Sequence, residues 1–390
     1  MKAATRSKME AMESTVTGRL KISQIGSRGI PGHRGGVERV VEAVAPRLVA
    51  LGHDVTVYCA ATGPNDPREY RGVRLKHVRS PRSKHLDTLA RSLFATLQEM
   101  FSSNQIVHYH ASGSAPLAIL PRLTGKKVIV TVHGLDWQRR KWNIFGRLFL
   151  QLGEWAAMRL PHRTVVVGPD LKTALDDSYG SDVILIPNGV EDRTPRPANE
   201  ILGQGLQPRQ FVLFLARLVP EKQCHTLIEA WMGLADKRGM KLAIAGPSWH
   251  SASYAAELKE MAKADSSVVF LGEVSEAMLE ELYSNCTAYV LPSEVEGMSL
   301  SLLDAMAFGA CVVTSDIPPN AYVVANAGLT FPVGDAAALR DCLQRVVSDA
   351  EEAERLRQAA KARISSEFRW DRVTEKWETL YRDLMAGRRH

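Results

Sequence analysis

The chain has few cysteines and no long apolar run. Its 390 residues include five cysteines, which are scattered and form no C-x-x-C pair, so neither a disulfide framework nor a metal cluster is predicted. We expect reduced thiols in the core of a cytoplasmic protein. The sequence has no apolar stretch of the roughly 18–20 residues that a membrane span needs. Residues 1–18 lack the apolar centre of a signal peptide and are predicted to be a disordered lead-in.

The charge is uneven along the chain. Residues 1–190 hold 27 Lys and Arg against 15 Asp and Glu, whereas residues 191–390 hold 22 against 28. The basic first half indicates an anionic partner such as phosphates, anionic lipid or nucleic acid, and a merely solvated basic surface is the alternative. Nucleic acid is disfavoured, because the sequence has neither a recognition-helix motif nor a set of basic and aromatic strands.

Apolar strand-like runs alternate with helical patterns twice, as expected of parallel sheets covered on both faces. The first series of strands is predicted at Leu20–Gly26, Asp54–Ala60, Val73–Val78, Gln105–His110, Lys127–Val132, Arg163–Val167 and Val183–Ile186. The second is predicted at Gln210–Ala216, Lys241–Ala245, Val268–Leu271, Ala288–Leu291 and Cys311–Thr314. A Pro- and Gly-rich linker at 193–208 separates them. The fold class is therefore α/β, with domains at 19–190 and 191–369 facing across a cleft.

Two motifs follow strands of the first half. The segment Gly26–Gly36 is rich in glycine and precedes a predicted helix at Val37–Leu51, so Gly35 and Gly36 are candidates for close approach to a phosphate. It matches neither G-x-G-x-x-G nor a P-loop, and a plain strand-to-helix turn stays open. His133 ends the strand Lys127–Val132 and precedes Gly134. In such sheets ligands bind beyond the carboxyl ends of the strands.

Two further motifs follow strands of the second half. Arg217 and Lys222 stand at a strand-to-helix turn and suit a diphosphate, with a solvated helix start as the alternative. After the strand Ala288–Leu291 comes Glu296-Gly-Met-Ser-Leu300, where a helix is predicted to open near Ser299. The amides of Gly297, Met298, Ser299 and Leu300 are then available to an anion. Glu296 and Asp304 on either side suit sugar hydroxyls.

These residues resemble glycosyltransferase family 4, retaining enzymes of the GT-B fold. Glu296 and Asp304 match the spacing of the family's "Glu, seven residues, Glu" motif, and the surrounding P-S-x-x-E-G-M-S-L and A-M-A-x-G are specific together. The resemblance covers the chain from about Leu20 to the last helices. One departure is that the second acid is Asp304, which is one methylene shorter than the family's Glu.

The resemblance implies a role for each candidate. Arg217 and Lys222 would hold the diphosphate of a nucleotide diphosphate sugar, UDP- or GDP-linked by expectation, without a metal, since the chain has no D-x-D triplet. Glu296 would bind the transferred sugar, the amides of 297–300 the distal phosphate, and Asp304 the ribose. His133 would lie near the anomeric centre, and Gly35 and Gly36 would close onto the diphosphate. The final helix, 370–390, would pack back on the first domain.

The motifs I-G-S-R-G-I-P and H-G-L-D-W-Q-R resemble those of the family 4 branch that assembles bacterial surface polysaccharides. The expected function is transfer of a hexose, with retention, to a glycan or lipid-linked acceptor. The basic and aromatic segment Arg139–Arg163 favours an anionic membrane surface, hence a peripheral location on the inner face of the cell membrane. A core helix with a basic outer face is the alternative. A GT-B sugar-nucleotide epimerase is the competing enzyme class.

Overall fold

A computed structural model describes residues 18–32, 35–80, 87–135, 137, 143–248 and 251–388. The chain divides into two compact units. Unit 1 runs to Asn188 and resumes at Trp370, and unit 2 is Gly189–Arg369. The predicted lead-in lies outside the described residues, apart from Gly18. None of the helices in the described part combines the length and apolar character that a bilayer-spanning segment needs.

Unit 1 is built on an eight-stranded sheet in the order β3-β4-β2-β1-β5-β6-β7-β8. Every neighbouring pair is parallel except β3 with β4. The strands are β1 (Lys21–Ile25), β2 (Asp54–Ala60), β3 (Glu69–Tyr70), β4 (Val73–Val78), β5 (Ile106–His110), β6 (Lys127–Val132), β7 (Arg163–Val166) and β8 (Ile184–Leu185). The strand order reverses at β1, which lies between β2 and β5, and this is where such sheets open a ligand crevice.

Helices cover this sheet. They are α1 (Gly36–Ala50), α2 (Asp87–Met100), α3 (Ile119–Leu123), α4 (Ile144–Arg159), α5 (Pro169–Tyr179) and, from the end of the chain, α14 (Trp370–Ala386). A 3₁₀ segment, Ser112–Ala118, follows β5. The close packing of α4 on this segment depends on Gly153, where a Cβ would come within 2.7 Å of the Ser112 carbonyl oxygen.

Unit 2 contains a six-stranded, wholly parallel sheet in the order β11-β10-β9-β12-β13-β14. The strands are β9 (Phe211–Leu215), β10 (Lys241–Ala245), β11 (Val268–Gly272), β12 (Ala288–Leu291), β13 (Cys311–Ser315) and β14 (Leu329–Phe331). The helices are α6 (Glu200–Gly203), α7 (Cys224–Met232), α8 (Ala252–Met261), α9 (Glu276–Asn285), α10 (Leu300–Ala307), α11 (Pro318–Val324), α12 (Ala336–Ser348) and α13 (Ala350–Arg363). Here the order reverses at β9, between β10 and β12.

The predicted doubly wound architecture is confirmed, and most strands lie within a residue or two of their predicted bounds. Three short elements were not predicted: β3, β14 and α6. The last lies inside the stretch read as a linker. Glu281 is buried and fixes this helix, because its Oε2 accepts from the amides of Asn199 at 2.8 Å and Ile201 at 3.2 Å.

The last helix, α14, packs on unit 1 through an apolar stripe. Five large apolar residues at helical spacing are buried along this stripe: Trp370, Val373, Trp377, Leu380 and Leu384. Polar contacts reinforce the packing, because Asp371 accepts from Arg47 at 2.8 Å and Glu378 lies 3.3 Å from His53. The five cysteine thiols are buried and free of disulfides.

Candidate active site

In unit 2 the predicted residues gather at the carboxyl edge of β9 and β12. These two strands are parallel neighbours, so the loops that follow them leave the sheet side by side. Arg217 lies two residues beyond β9, and a 3₁₀ turn at Pro220–Lys222 leads into α7. Glu296 lies in the loop between β12 and α10. The fold therefore brings the Arg217 and Lys222 cations and the Glu296 carboxylate to one edge of the sheet. Lys222 and Glu296 are 74 residues apart in the sequence.

The two loops are tied to each other by three contacts. The Lys222 ammonium donates to the Glu296 carboxylate, and both side chains are largely buried, at 14% and 11% exposure. The amide of Glu294 donates to the Glu221 carbonyl at 3.0 Å. Gln223 donates to the Glu294 carboxylate at 3.0 Å. These contacts fix the position of Lys222 relative to the helix that begins at Leu300.

The start of α10 is held by hydroxyl groups. Ser299 is the N-cap and accepts from the amide of Leu302 at 3.4 Å. Its Oγ also lies 2.9 Å from the Ser301 hydroxyl, to which Tyr289 donates at 2.9 Å. Gly297 is half-buried beside the buried Met298 and Ser299. A helix N-terminus carries amides without intrahelical partners and a partial positive charge, and both favour an anion at this edge.

Asp304 lies inside α10, is buried, and faces a cation that the sequence did not indicate. Its Oδ1 is 3.4 Å from Nη2 of Arg193. The same guanidinium lies 3.7 Å from Glu280 and stacks 5.4 Å from the ring centroid of Phe308. Since Arg193 lies 111 residues before Asp304, no local pattern could have indicated the pair.

Arg217 differs from Lys222 in its surroundings. Its side chain is exposed, and within the described part of the chain it has neither an ion pair nor a side-chain hydrogen bond. A guanidinium presented in this way at a sheet edge is available to a ligand phosphate. Among the described residues, no group of three or more His, Cys, Asp or Glu side chains is arranged to hold a metal ion.

In unit 1, His133 is one of three histidines at the carboxyl ends of β5 and β6. Nε2 of His133 lies 3.4 Å from Nδ1 of His110, and the ring of His110 lies 4.2 Å from that of His108. His108 is fixed by Tyr381 of α14 at 2.8 Å and by Thr131 at 2.7 Å. The sequence indicated only His133. The alternation His108-Tyr109-His110 was the available signal for the other two.

Burial makes these three histidines neutral. It lowers the pKa of His133 to about 4. Burial, reinforced by the neighbouring His133, lowers the pKa of His108 to about 3, and the pKa of His110 lies well below its usual value for the same reasons. Nε2 of His110 is buried, and the described residues offer it no hydrogen-bond partner. At neutral pH the three rings are therefore uncharged and can offer hydrogen bonds but no positive charge.

The glycine-rich loop approaches this histidine cluster. Gly26 has φ +112°, and a Cβ there would lie 2.3 Å from the His110 carbonyl oxygen, so only glycine fits. Further along, Gly35 is the N-cap of α1 and Gly36 its first residue. Glu38 accepts from the amide of Arg28 at 2.8 Å and ties the loop to the helix. The Glu38 carboxylate lies next to Gly35, where a Cβ would come within 1.7 Å of its Oε2.

Two family models match the chain. Residues 34–193 match Glycosyltransferase Family 4, and residues 204–363 match Glycosyl transferases group 1. The chain is 24% identical to glycogen synthase of Mycobacterium tuberculosis, over 91% of this chain and 92% of that protein. The first match lies mostly in unit 1 and includes His133, and the second lies within unit 2 and includes Lys222 and Glu296.

Solved structures share the fold. Sucrose-phosphate synthase from Thermosynechococcus elongatus superposes with a TM-score of 0.80 at 23% identity, covering 95% of this chain and all of that one. HepE of Anabaena in complex with UDP-glucose gives a TM-score of 0.76 at 17% identity, covering 93% of this chain and all of that one. The fold is GT-B, and the chain is a glycosyltransferase whose first half matches the Glycosyltransferase Family 4 model and whose second half matches the Glycosyl transferases group 1 model.

Proposed function

We propose that this enzyme transfers a sugar from a nucleotide diphosphate sugar to a glycan or lipid-linked acceptor with retention of anomeric configuration. The observation that carries the proposal is the contact between Lys222 and Glu296 beside the N-terminus of α10. A cation for the diphosphate and a carboxylate for the sugar are fixed side by side. UDP- and GDP-sugars are the expected donors, and UDP-glucose bound to HepE supports the class.

The proposed chemistry depends on charge placement. As the bond between the sugar and the diphosphate breaks, negative charge grows on the departing phosphate, and preorganised cations at that position lower the barrier. Glu296 holds Lys222 close to the N-terminus of α10, where we propose that the diphosphate binds, and the exposed Arg217 supplies a planar set of donors. The amides of Gly297, Met298, Ser299 and Leu300 complete the anion site, so no metal is required.

Each carboxylate has a separate proposed task. Glu296 accepts hydrogen bonds from hydroxyls of the transferred sugar while sharing its charge with Lys222. Asp304 accepts from the ribose hydroxyls, and Nη2 of Arg193 lies 3.4 Å from its Oδ1. Asp304 is one methylene shorter than the family's glutamate, and Arg193 reaches it from the segment before α6.

His133 and the glycine turn keep the roles that the family resemblance implies. With a pKa lowered to about 4 by burial, His133 offers the sugar a neutral ring that donates or accepts one hydrogen bond near the anomeric carbon. It is unsuited to storing a proton at neutral pH. Gly35 and Gly36 allow backbone to approach the diphosphate. The motifs I-G-S-R-G-I-P and H-G-L-D-W-Q-R of unit 1 resemble those of the branch that assembles bacterial surface polysaccharides. We therefore assign the acceptor to that assembly, at the inner face of the membrane.

The test has two stages. A thermal-shift panel of UDP-, GDP- and dTDP-sugars first identifies the base and sugar that stabilise the protein. NMR of the product formed with that donor and a panel of glycan and lipid-linked acceptors then reports the bond and its anomer. A new glycosidic bond with the donor's configuration is expected. Formation of an inverted anomer would contradict retention, and release of a free epimerised sugar would contradict transfer.

A further inference from the structure

Exposed large apolar side chains are concentrated on three helices of unit 1. Those on α2, or directly after it, are Leu93, Phe94, Leu97 and Phe101; those on α3 are Ile119 and Leu123; those on α4 are Ile144, Phe145, Leu148, Phe149, Leu152 and Trp155. Phe101, Leu123 and Phe145 are 89%, 74% and 78% exposed. We call these residues the apolar face. Contiguous apolar surface of this kind marks an interaction site.

The helix α2 is oriented with its polar side towards the protein. Its buried residues include Arg91, Thr96 and Glu99, whereas Phe94 and Leu97 point outward. Most inward groups are hydrogen-bonded: Arg91 donates to Asp87 at 2.8 Å, Thr96 lies 2.8 Å from the Tyr109 hydroxyl, and Glu99 accepts from Tyr58 at 2.9 Å. Nη2 of Arg91 and Oγ of Ser92 are buried without a hydrogen-bond partner among the described residues. An amphipathic helix that faces its polar side inward indicates that its outer side meets something other than water.

The three helices share one support. Each packs against the 3₁₀ segment Ser112–Ala118, and α2 also contacts α3. On α4 the exposed apolar residues recur at helical spacing on one side, while Leu150, Gly153 and Ala157 are buried on the other. A core helix with a basic outer face is the alternative that the sequence leaves open for this segment. Over Ile144–Arg159 the outer side carries both the exposed apolar residues and the exposed Arg147 and Arg159. Residues 139–142 lie outside the described residues.

The exposed charges on the described residues of α2, α3 and α4 have one sign. The exposed charged residues of α2, α3 and α4 are Arg122, Arg147 and Arg159. The acidic ones are turned inward or engaged: Glu154 accepts from Trp137 at 2.7 Å and from Tyr179 at 2.9 Å. Apolar side chains bordered by arginines match the two layers of an anionic bilayer surface, acyl chains beneath and negative headgroups above.

We propose that the apolar face inserts into the interfacial layer of an anionic lipid bilayer. A second copy of the chain fits less well, because a symmetric contact would bring two sets of arginines together without acidic partners on these helices. Insertion of the apolar face would bring the enzyme to the membrane that holds a lipid-linked acceptor. The role of this surface therefore rests on the proposed function. Binding to vesicles, however, requires neither donor nor turnover.

The experiment is co-sedimentation of the full chain with phosphatidylcholine vesicles and with an equal mixture of phosphatidylcholine and phosphatidylglycerol. Tight binding to the anionic vesicles and weak binding to the neutral ones is expected. Phe101→Ser and Phe145→Ser should each weaken binding about tenfold, because a large apolar side chain no longer leaves water. Arg147→Gln should lower the affinity for anionic vesicles alone, by about fivefold.

The matched control is Leu202→Ser in unit 2, a side chain with 44% exposure, which should bind vesicles like the unchanged protein. Circular dichroism and transfer to a water-soluble acceptor check that each variant folds. Equal vesicle binding by the phenylalanine variants and the control, or no binding by the unchanged protein, overturns the proposal. A dimer in sedimentation velocity that Phe145→Ser dissociates assigns the surface to a second copy. Vesicle binding without transferase activity contradicts the proposed function alone.

Discussion

Replacing Lys222 with alanine tests whether Lys222 acts in catalysis or only forms a structural ion pair with Glu296. In the structure Lys222 donates to Glu296 in a largely buried contact, so the substitution removes the positive charge that pairs with the carboxylate proposed to bind the sugar. If this cation stabilises the departing diphosphate, its loss should lower kcat/KM by about 10²–10³-fold, the usual cost of one donor aimed at developing charge. Lys222→Arg should retain part of the activity, because it keeps the charge with a different shape.

The same substitution also costs stability, by an amount that the geometry bounds. Glu296 keeps about 11% exposure and loses its charged donor, so the free energy of unfolding should fall by about 1–3 kcal/mol. The matched control is Lys237→Ala, because Lys237 Nζ lies 2.7 Å from Asp265 Oδ2 with exposures of 25% and 16% in the same unit. That variant should lose comparable stability and no transfer activity.

The assay is initial-rate transfer with the donor varied at saturating acceptor, together with urea unfolding of each variant. Near-normal kcat/KM for Lys222→Ala would refute the assignment of Lys222 to the diphosphate. An equal loss of activity in Lys237→Ala would show that both variants act through the stability of unit 2. A double variant with Glu296→Gln should lose less than the sum of the single losses, because the two residues act as one unit.

Three further outcomes are expected. The pKa of His108, lowered to about 3 by burial, keeps it neutral in the folded chain while the unfolded chain takes up a proton below about pH 6.5. Stability is therefore lost as pH falls. In urea titrations between about pH 6 and 4.5, His108→Asn should reduce the slope of the unfolding free energy against pH by about 1.4 kcal/mol per pH unit. Gly26→Ala should cost at least about 2 kcal/mol in thermal or urea unfolding, because its Cβ would lie 2.3 Å from the His110 carbonyl oxygen, whereas Gly52→Ala, at φ +92° in open space, should cost less. Chelation with EDTA should change the transfer rate by less than about twofold, since the proposed chemistry uses protein cations in place of a metal, and a metal-restored loss would contradict this.

The extent to which sequence predicts this fold depends on the length of each element. The strands β2, β4 and β6 have the predicted bounds, because apolar or alternating runs between turn residues leave little choice of period. The strands β3 and β14 have two and three residues, too few to show a period at all. The helix α6 forms where Pro and Gly suggested a linker, since the buried Glu281 supplies acceptors from far along the chain.

The candidate site likewise has residues that the sequence predicts and residues that it does not. Lys222 and Glu296 follow adjacent strands, so parallel topology alone predicts that their loops meet. Arg193 reaches Asp304 across 111 residues, and its contribution depends on packing against Phe308 that no motif records. His110 was missed because a His-Tyr-His alternation at a strand end is equally typical of ordinary strand packing.

The orientation of α2 shows why a helical period alone leaves the direction of a helix undetermined. The apolar period predicts two unlike sides and is silent about which one faces the protein. Here Tyr58 and Tyr109, on β2 and β5, supply hydroxyl partners for Glu99 and Thr96. Burying the polar side therefore leaves those groups hydrogen-bonded, and the apolar side is directed outward. The side of α2 that faces outward is thus determined by hydrogen bonds in the interior of unit 1, and replacing Tyr58 with phenylalanine should perturb α2 without touching the apolar face.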